Sequence, residues 1–132
     1  MKKILSFTIA LFTTALAALA EGPVPSFSET SHDFGNIKEA NGPVTYEFEF
    51  TNTGDEPLVI VSANASCGCT KPEIPKKPIP AGKSAKIKVI YLPKGRPGEF
   101  NKTVRVRTNA PRPHKQVNLK INGVVIPDTN GK

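Results

Sequence analysis

The chain has two cysteines among its 132 residues, and both fall in N-A-S-C-G-C-T-K-P, residues 64–72. Cys67 and Cys69 are therefore the side chains whose type and spacing could do chemistry. In extended backbone, side chains at i and i+2 share a face, with Cα atoms near the outer limit for a disulfide. Gly68 between them can bend the chain and close that gap. Such a bridge closes a ring of three residues, so chain entropy supplies only about 1.6 kcal/mol, roughly half of what a fifteen-residue loop gives. Stability is thus a weak reason for the pair. The residues leave three chemistries open. One is a local disulfide that pins a loop, and a second is a redox dithiol whose pKa the nearby Lys71 would lower. The third is a two-thiolate site for a soft ion such as Cu(I), since closed zinc sites need four ligands. Pairing with a cysteine of another molecule is a further possibility.

Other reactive groups are sparse. A Cys-His nucleophile would need Cys67 or Cys69 beside His32 or His114, the only histidines. Each histidine reads instead as a surface turn residue. Glu47 and Glu49 alternate on one side of a strand, the ordinary solvated face, and no paired carboxylates suggest acid–base work. Asp33-Phe34-Gly35 matches the kinase magnesium motif in letters only; it reads as a turn with Asp33 capping and Gly35 at positive φ. No catalytic residue, cofactor or metal is assigned, and the sequence leans away from an enzyme. Asn64 and Asn101 stand in N-x-S/T triplets, which matter only where a host glycosylates them.

The elements that must position the cysteines are strands. Residues 44–50, V-T-Y-E-F-E-F, alternate apolar and polar, as does A-K-I-K-V-I-Y at 85–91. Phe100, Val104 and Val106 share one face of the stretch 100–108, with Arg105 and Arg107 opposite. Val117, Leu119 and Ile121 share a face of the last strand, and Gly123 is expected to bulge it. L-V-I-V, residues 58–61, reads as a strand buried on both faces. Pro25–Thr30 reads as an edge strand, with Phe34 and Ile37 adding apolar weight around a turn at Gly35. Residues 64–83 hold four prolines, which leave room for a short edge segment at most. Six or seven short strands joined by turns bury themselves as two stacked sheets, an immunoglobulin-like β-sandwich. The antibody-type variant is excluded: it needs two distant cysteines around a tryptophan, and the chain has no tryptophan.

Residues 1–20 read as a cleavable signal peptide, with Lys2 and Lys3 ahead of an apolar run and Ala18-Leu19-Ala20 as cleavage site. The folded domain is expected over 24–127, with a disordered tail at 128–132. Without the leader, 18 − 2 = 16 basic residues face 11 acidic ones, a charge of +5. A basic surface outside the cytosol has few nucleic-acid targets, and no aromatic RNA-binding signature accompanies it. The processed chain is expected not to span a membrane.

Several stretches together resemble a known family. They are H-D-F-G-N-I from His32, F-E-F-T-N-T-G from Phe48, S-C-G-C-T from Ser66, P-A-G-K-S from Pro80, G-E-F-N-K-T-V from Gly98 and N-G-V from Asn122. Their order and spacing are similar to domain-of-unknown-function family 1573 of bacterial cell-envelope proteins, over residues 27 to about 126. C-G-C-T is the most specific element. The F-x-N-T-G and P-A-G-K elements are shared with immunoglobulin-like domains that resemble PapD chaperones and major sperm protein. The resemblance implies a sandwich fold and an extracytoplasmic, periplasmic setting; it carries no activity. Two functions are expected to compete. The first is an exported, periplasmic or secreted, binding or scaffold module for an unknown protein or envelope component. It would act by surface contact, with Pro25–Thr30 or Val117–Ile126 accepting a partner's strand. The second is a thiol–disulfide or copper-handling protein working through Cys67 and Cys69.

Overall fold

The computed structural model of the protein describes residues 22–128. Eight strands follow in order: β1 (Pro25–Phe27), β2 (Ser31–Lys38), β3 (Val44–Asn52), β4 (Ile60–Ala65), β5 (Thr70–Glu73), β6 (Ser84–Tyr91), β7 (Gly98–Thr108) and β8 (Gln116–Ile126). A single 3-10 turn, Glu39–Asn41, sits between β2 and β3. The strands form two four-stranded sheets, ordered β1-β3-β6-β5 and β2-β8-β7-β4. The fold is an all-β, immunoglobulin-like sandwich. The expected leader lies outside the described residues, as does all of the expected tail but Asp128.

Alternation decides what enters the interior. From the first sheet come Phe48 and Phe50 of β3 and Ile87, Val89 and Tyr91 of β6. Phe100, Val104 and Val106 of β7 and Leu119, Ile121 and Val125 of β8 meet them from the second. The outward row of β3 faces lysines: Glu47 lies opposite Lys88 and Glu49 opposite Lys86, with a diagonal Lys86–Glu47 ion pair at 3.4 Å. Exposed pairs of this kind contribute at most about 1 kcal/mol, whereas each large apolar side chain buried contributes about 1.5–3 kcal/mol. The dry interlayer is what holds the sheets together.

One buried polar residue organises the turns. Asn52 is fully buried, and its side-chain amide donates to the carbonyls of Glu56 (2.7 Å) and Ile79 (2.9 Å). Its Oδ1 accepts from the amides of Val24 (3.2 Å) and Gly54 (3.0 Å). Its backbone binds the Lys83 carbonyl and the Gly82 amide. The F-T-N-T-G and P-A-G-K stretches thus meet at one residue, the second through its backbone. Gly54 must lack a Cβ, which would overlap the Gly22 carbonyl and the Val24 nitrogen.

Four local expectations are corrected. Leu58–Val61 is not buried on both faces: Leu58 and Ile60 are buried, but Val59 is 36% and Val61 60% exposed. The reason is that the fold has only two layers, so the outer face of each sheet is uncovered, on β4 as on β7. The bulge expected at Gly123 lies instead in β2, where the register against β8 shifts between Asp33 and Asn36. The segment from Phe34 to Ile37 is accordingly strand, and β2 brings the total to eight. Gly123 serves a different need: a Cβ there would meet the Phe100 ring at 2.8 Å and the Gly35 carbonyl at 2.9 Å. Finally, Val117–Ile126 cannot accept a strand, because β8 runs between β2 and β7. The Asp33 cap is as expected, with its Oδ1 accepting the Gly35 amide at 2.8 Å and Gly35 at φ 66°.

Candidate functional site

The cysteines lie where the chain changes sheets. β4 ends with Ala65 opposite Val104, and the Ser66 amide still donates to the Thr103 carbonyl (3.2 Å). The chain then crosses through Cys67-Gly68-Cys69 and joins the other sheet with Thr70 opposite Tyr91. The Cys69 carbonyl accepts the Leu92 amide at 2.8 Å, and the Thr70 amide donates to the Cys67 carbonyl at 3.3 Å. Cys67 and Cys69 are paired, with Cα atoms 5.3 Å apart. The Cys69 amide points at Cys67 Sγ (3.3 Å), and Cys69 Sγ lies 3.5 Å from Thr70 Oγ1.

The bend also reaches into the interior. Cys69 is 1% exposed and belongs to the apolar core, so the pair does not stand outside the interior. Cys67 is half-buried and packs against that core. The physical reason is the crossing itself, which carries the chain over the side of the sandwich between β4 and β5. Gly68 needs neither a positive φ nor close approach: its φ is not positive and no atom lies within 4 Å of an added Cβ. Tyr91, opposite Thr70, stacks on Phe100 with centroids 4.0 Å apart. Burial raises the Tyr91 phenol above its ordinary pKa, against an opposing effect of Arg96.

The histidines are not brought to the cysteines. His32 sits on β2, separated from β4 by β8 and β7, and stacks on Tyr46 instead of occupying a surface turn. His114 lies in the turn between β7 and β8, its carbonyl accepting the Thr108 hydroxyl at 3.0 Å. Lys71 is exposed on β5. Among the described residues, no group of three or more His, Cys, Asp or Glu side chains converges as a metal site would. No helix among them is long and apolar enough to cross a membrane.

A second feature lies at the other end of β4 from the crossing. Val59 and Val61 are two of the three exposed large hydrophobics among the described residues, and both precede or begin β4. The Val59 amide and carbonyl are held by Asn109, at 2.8 and 3.1 Å, which fixes this end of β4 against the turn after β7. In that turn a cleft of about 470 Å³ is lined by Arg107, Arg112, Pro113, Lys115 and Gln116. The opposite end of the same sheet carries a cleft of about 550 Å³ with Asp33, Asn36, Glu99, Asn101 and Asn122 on its walls. In the sequence, Arg105 and Arg107 read only as the outward row opposite Phe100, Val104 and Val106. The exposed valines beside them distinguish this edge, on an outer face that no third layer covers.

Comparison with known proteins follows the fold. The model of the family described as "Protein of unknown function (DUF1573)" matches residues 25–125. No curated protein matches the sequence. Among solved structures, a protein of unknown function from Porphyromonas gingivalis W83 is similar with a TM-score of 0.68 at 16% identity, over 80% of this chain and 48% of that one. The ASH/PapD-like domain 7 of human CEP192 gives a TM-score of 0.59 at 14% identity, over 79% of this chain and 86% of that one. The E. coli chaperone DraB gives 0.52 at 15% identity, over 80% and 56%. This chain spans about half the length of the Porphyromonas protein. At these identities the likeness is one of fold.

Proposed function

Because the chain belongs to the DUF1573 family, whose members carry no assigned activity, we propose from its surface that it is an exported binding or scaffold module of the cell envelope. It would act by contact along β4. One observation carries this reading: β4 is a sheet edge that displays Val59 and Val61 to solvent. The other edges are blunted. β1 is three residues long and begins with Pro25, β5 is four residues long with Pro72 inside it, and β2 is interrupted by its bulge. Proline removes a donor and a bulge turns the edge away, the ordinary devices against strand pairing. β4 has a register shift too, but at Val61, which leaves Ser62–Ala65 regular. The leader-like residues 1–20 support export, and the similar fold of the chaperone DraB supports a role in binding other polypeptides.

Photo-crosslinking in the intact cell tests this. A crosslinking residue at Val61 is expected to yield a discrete adduct, and one at the exposed Asn36 on the far edge none. Adducts at neither position would end the reading. Fractionation tests the location: the processed chain is expected in the periplasm or medium, starting at Glu21.

A second reading rests on the unequal burial of the cysteines. A half-buried Cys67 beside a fully buried Cys69 is an arrangement in which the more accessible thiol attacks and the other resolves. Reductase and copper-binding assays on Cys67→Ser and Cys69→Ser variants test it, and values unchanged from the parent protein dispose of it.

A further inference from the structure

Resting on the reading of β4 as a docking edge, we infer that its partner is an extended acidic polypeptide segment, added as a fifth strand and held by Arg105, Arg107, Arg112 and Lys115. The arginines are set for it. Arg107 lies between Ser62 on β4 and Gln116 on β8, and Arg105 between Asn64 and Asn118. All four neighbours are neutral, and among the described residues Arg105, Arg107, Arg112 and Lys115 form no ion pair, unlike Lys86 and Lys88. Three of these cations line one cleft, where a shared low-dielectric wall focuses their field.

Reach favours the same assignment. A strand beside β4 stands about 9.5 Å, two strand spacings, from β7. A glutamate on that strand and an arginine on β7 span this distance between them. The β4 side chains in the way, Ser62 and Asn64, are short. Charge-assisted, bidentate contacts are the strong ones available to guanidinium groups.

Other occupants fit worse. A second copy pairing through β4 would set two rows of arginines against each other, and like charges at an interface are costly. A lipid surface would cover Val59 and Val61 but leave the outward backbone groups of Ala63 and Ala65 without partners, which a peptide strand supplies.

The test is an NMR titration of the labelled full chain with three synthetic peptides that alternate valine with glutamate, glutamine or lysine, and with phosphatidylglycerol vesicles. The glutamate peptide is expected to shift the amides of Ala63 and Ala65 and to bind roughly tenfold more tightly than the glutamine peptide, with the difference shrinking as salt is raised. The double variant Arg107→Glu, Arg112→Glu changes only exposed side chains and is expected to prefer the lysine peptide. Equal binding of the glutamate and glutamine peptides at β4 would overturn the acidic partner while leaving the docking edge intact. Amides at β4 moved by vesicles alone would make the partner a lipid. No shift at Ala63 or Ala65 with any probe would overturn the docking edge itself.

Discussion

The imidazole of His32 lies flat on the phenol of Tyr46, with ring centroids 3.6 Å apart and planes within 7°. His32 belongs to β2 and Tyr46 to β3, so the stack joins one sheet to the other on the side away from the cysteines. Phe34 meets His32 edge-on at 4.6 Å and Phe48 meets Tyr46 edge-on at 4.9 Å, which continues the contact into the core. The Tyr46 hydroxyl donates to the Glu29 carboxylate just before β2. The two long sides of the sandwich are therefore closed differently, one by aromatic stacking and the other by the cysteine crossing.

That closure makes a pH prediction. The hydrogen bond to Glu29, with burial and the carboxylate's charge adding to it, raises the Tyr46 phenol above its ordinary 10.0. Tyr91 is raised as well, chiefly by burial. A raised folded-state pKa favours the protonated phenol, so this stability is fully present below the unfolded value near 10. It is lost as pH climbs through the folded values. Because the chain has two tyrosines and no tryptophan, tyrosinate absorbance reads both directly. The native titration is expected at higher pH than the denatured one, with Tyr46→Phe and Tyr91→Phe each removing one component. Coincident native and denatured curves would contradict it.

Asn52→Ala is expected to cost about 2–4 kcal/mol, because it strips partners from two carbonyls and two amides at once. Asn52→Asp keeps the acceptor but turns a carboxylate oxygen toward the carbonyls of Glu56 and Ile79, so it is expected to be no less damaging. Urea unfolding measures both; a loss below about 0.5 kcal/mol for the alanine variant would remove Asn52 from its organising role.

The glycines separate by what surrounds them. Gly123→Ala is expected to destabilise by about 1–3 kcal/mol, since the Phe100 ring and the Gly35 carbonyl must both move. Gly68→Ala meets no atom within 4 Å and requires no unusual φ, so a change within about 0.5 kcal/mol is expected. Thermal melts of the two variants should rank in that order.

After mild reduction, alkylation is expected at Cys67 before Cys69, because Cys69 is 1% exposed and Cys67 is half-buried. Mass spectrometry of the partly labelled protein decides it. The pair itself is expected to add no more than about 1.6 kcal/mol to stability, the entropy of a three-residue ring. Equal labelling rates would mean the crossing opens as a unit.

Much of the architecture was legible in residue order. Val44 to Phe50 and Ala85 to Tyr91 declare their inward faces by period two, and Asp33-Phe34-Gly35 declares its cap by composition. These are local properties, governed by which way successive side chains point. Which strands are edges was not legible, because an edge is defined by what lies beside it. Val117–Ile126 reads as a free edge for that reason, although β2 covers it, and Leu58–Val61 reads as buried on both faces because composition does not show that a two-layer sandwich leaves each sheet's outer face open. The burial of Cys69, the stacking of His32 on Tyr46 and the gathering of Arg107, Arg112 and Lys115 beside two exposed valines have the same origin. Alternation by itself settled that this protein is a sandwich with its cysteines on a bend between strands. Sheet order, set by contacts between residues far apart in the chain, decided which surface was left uncovered.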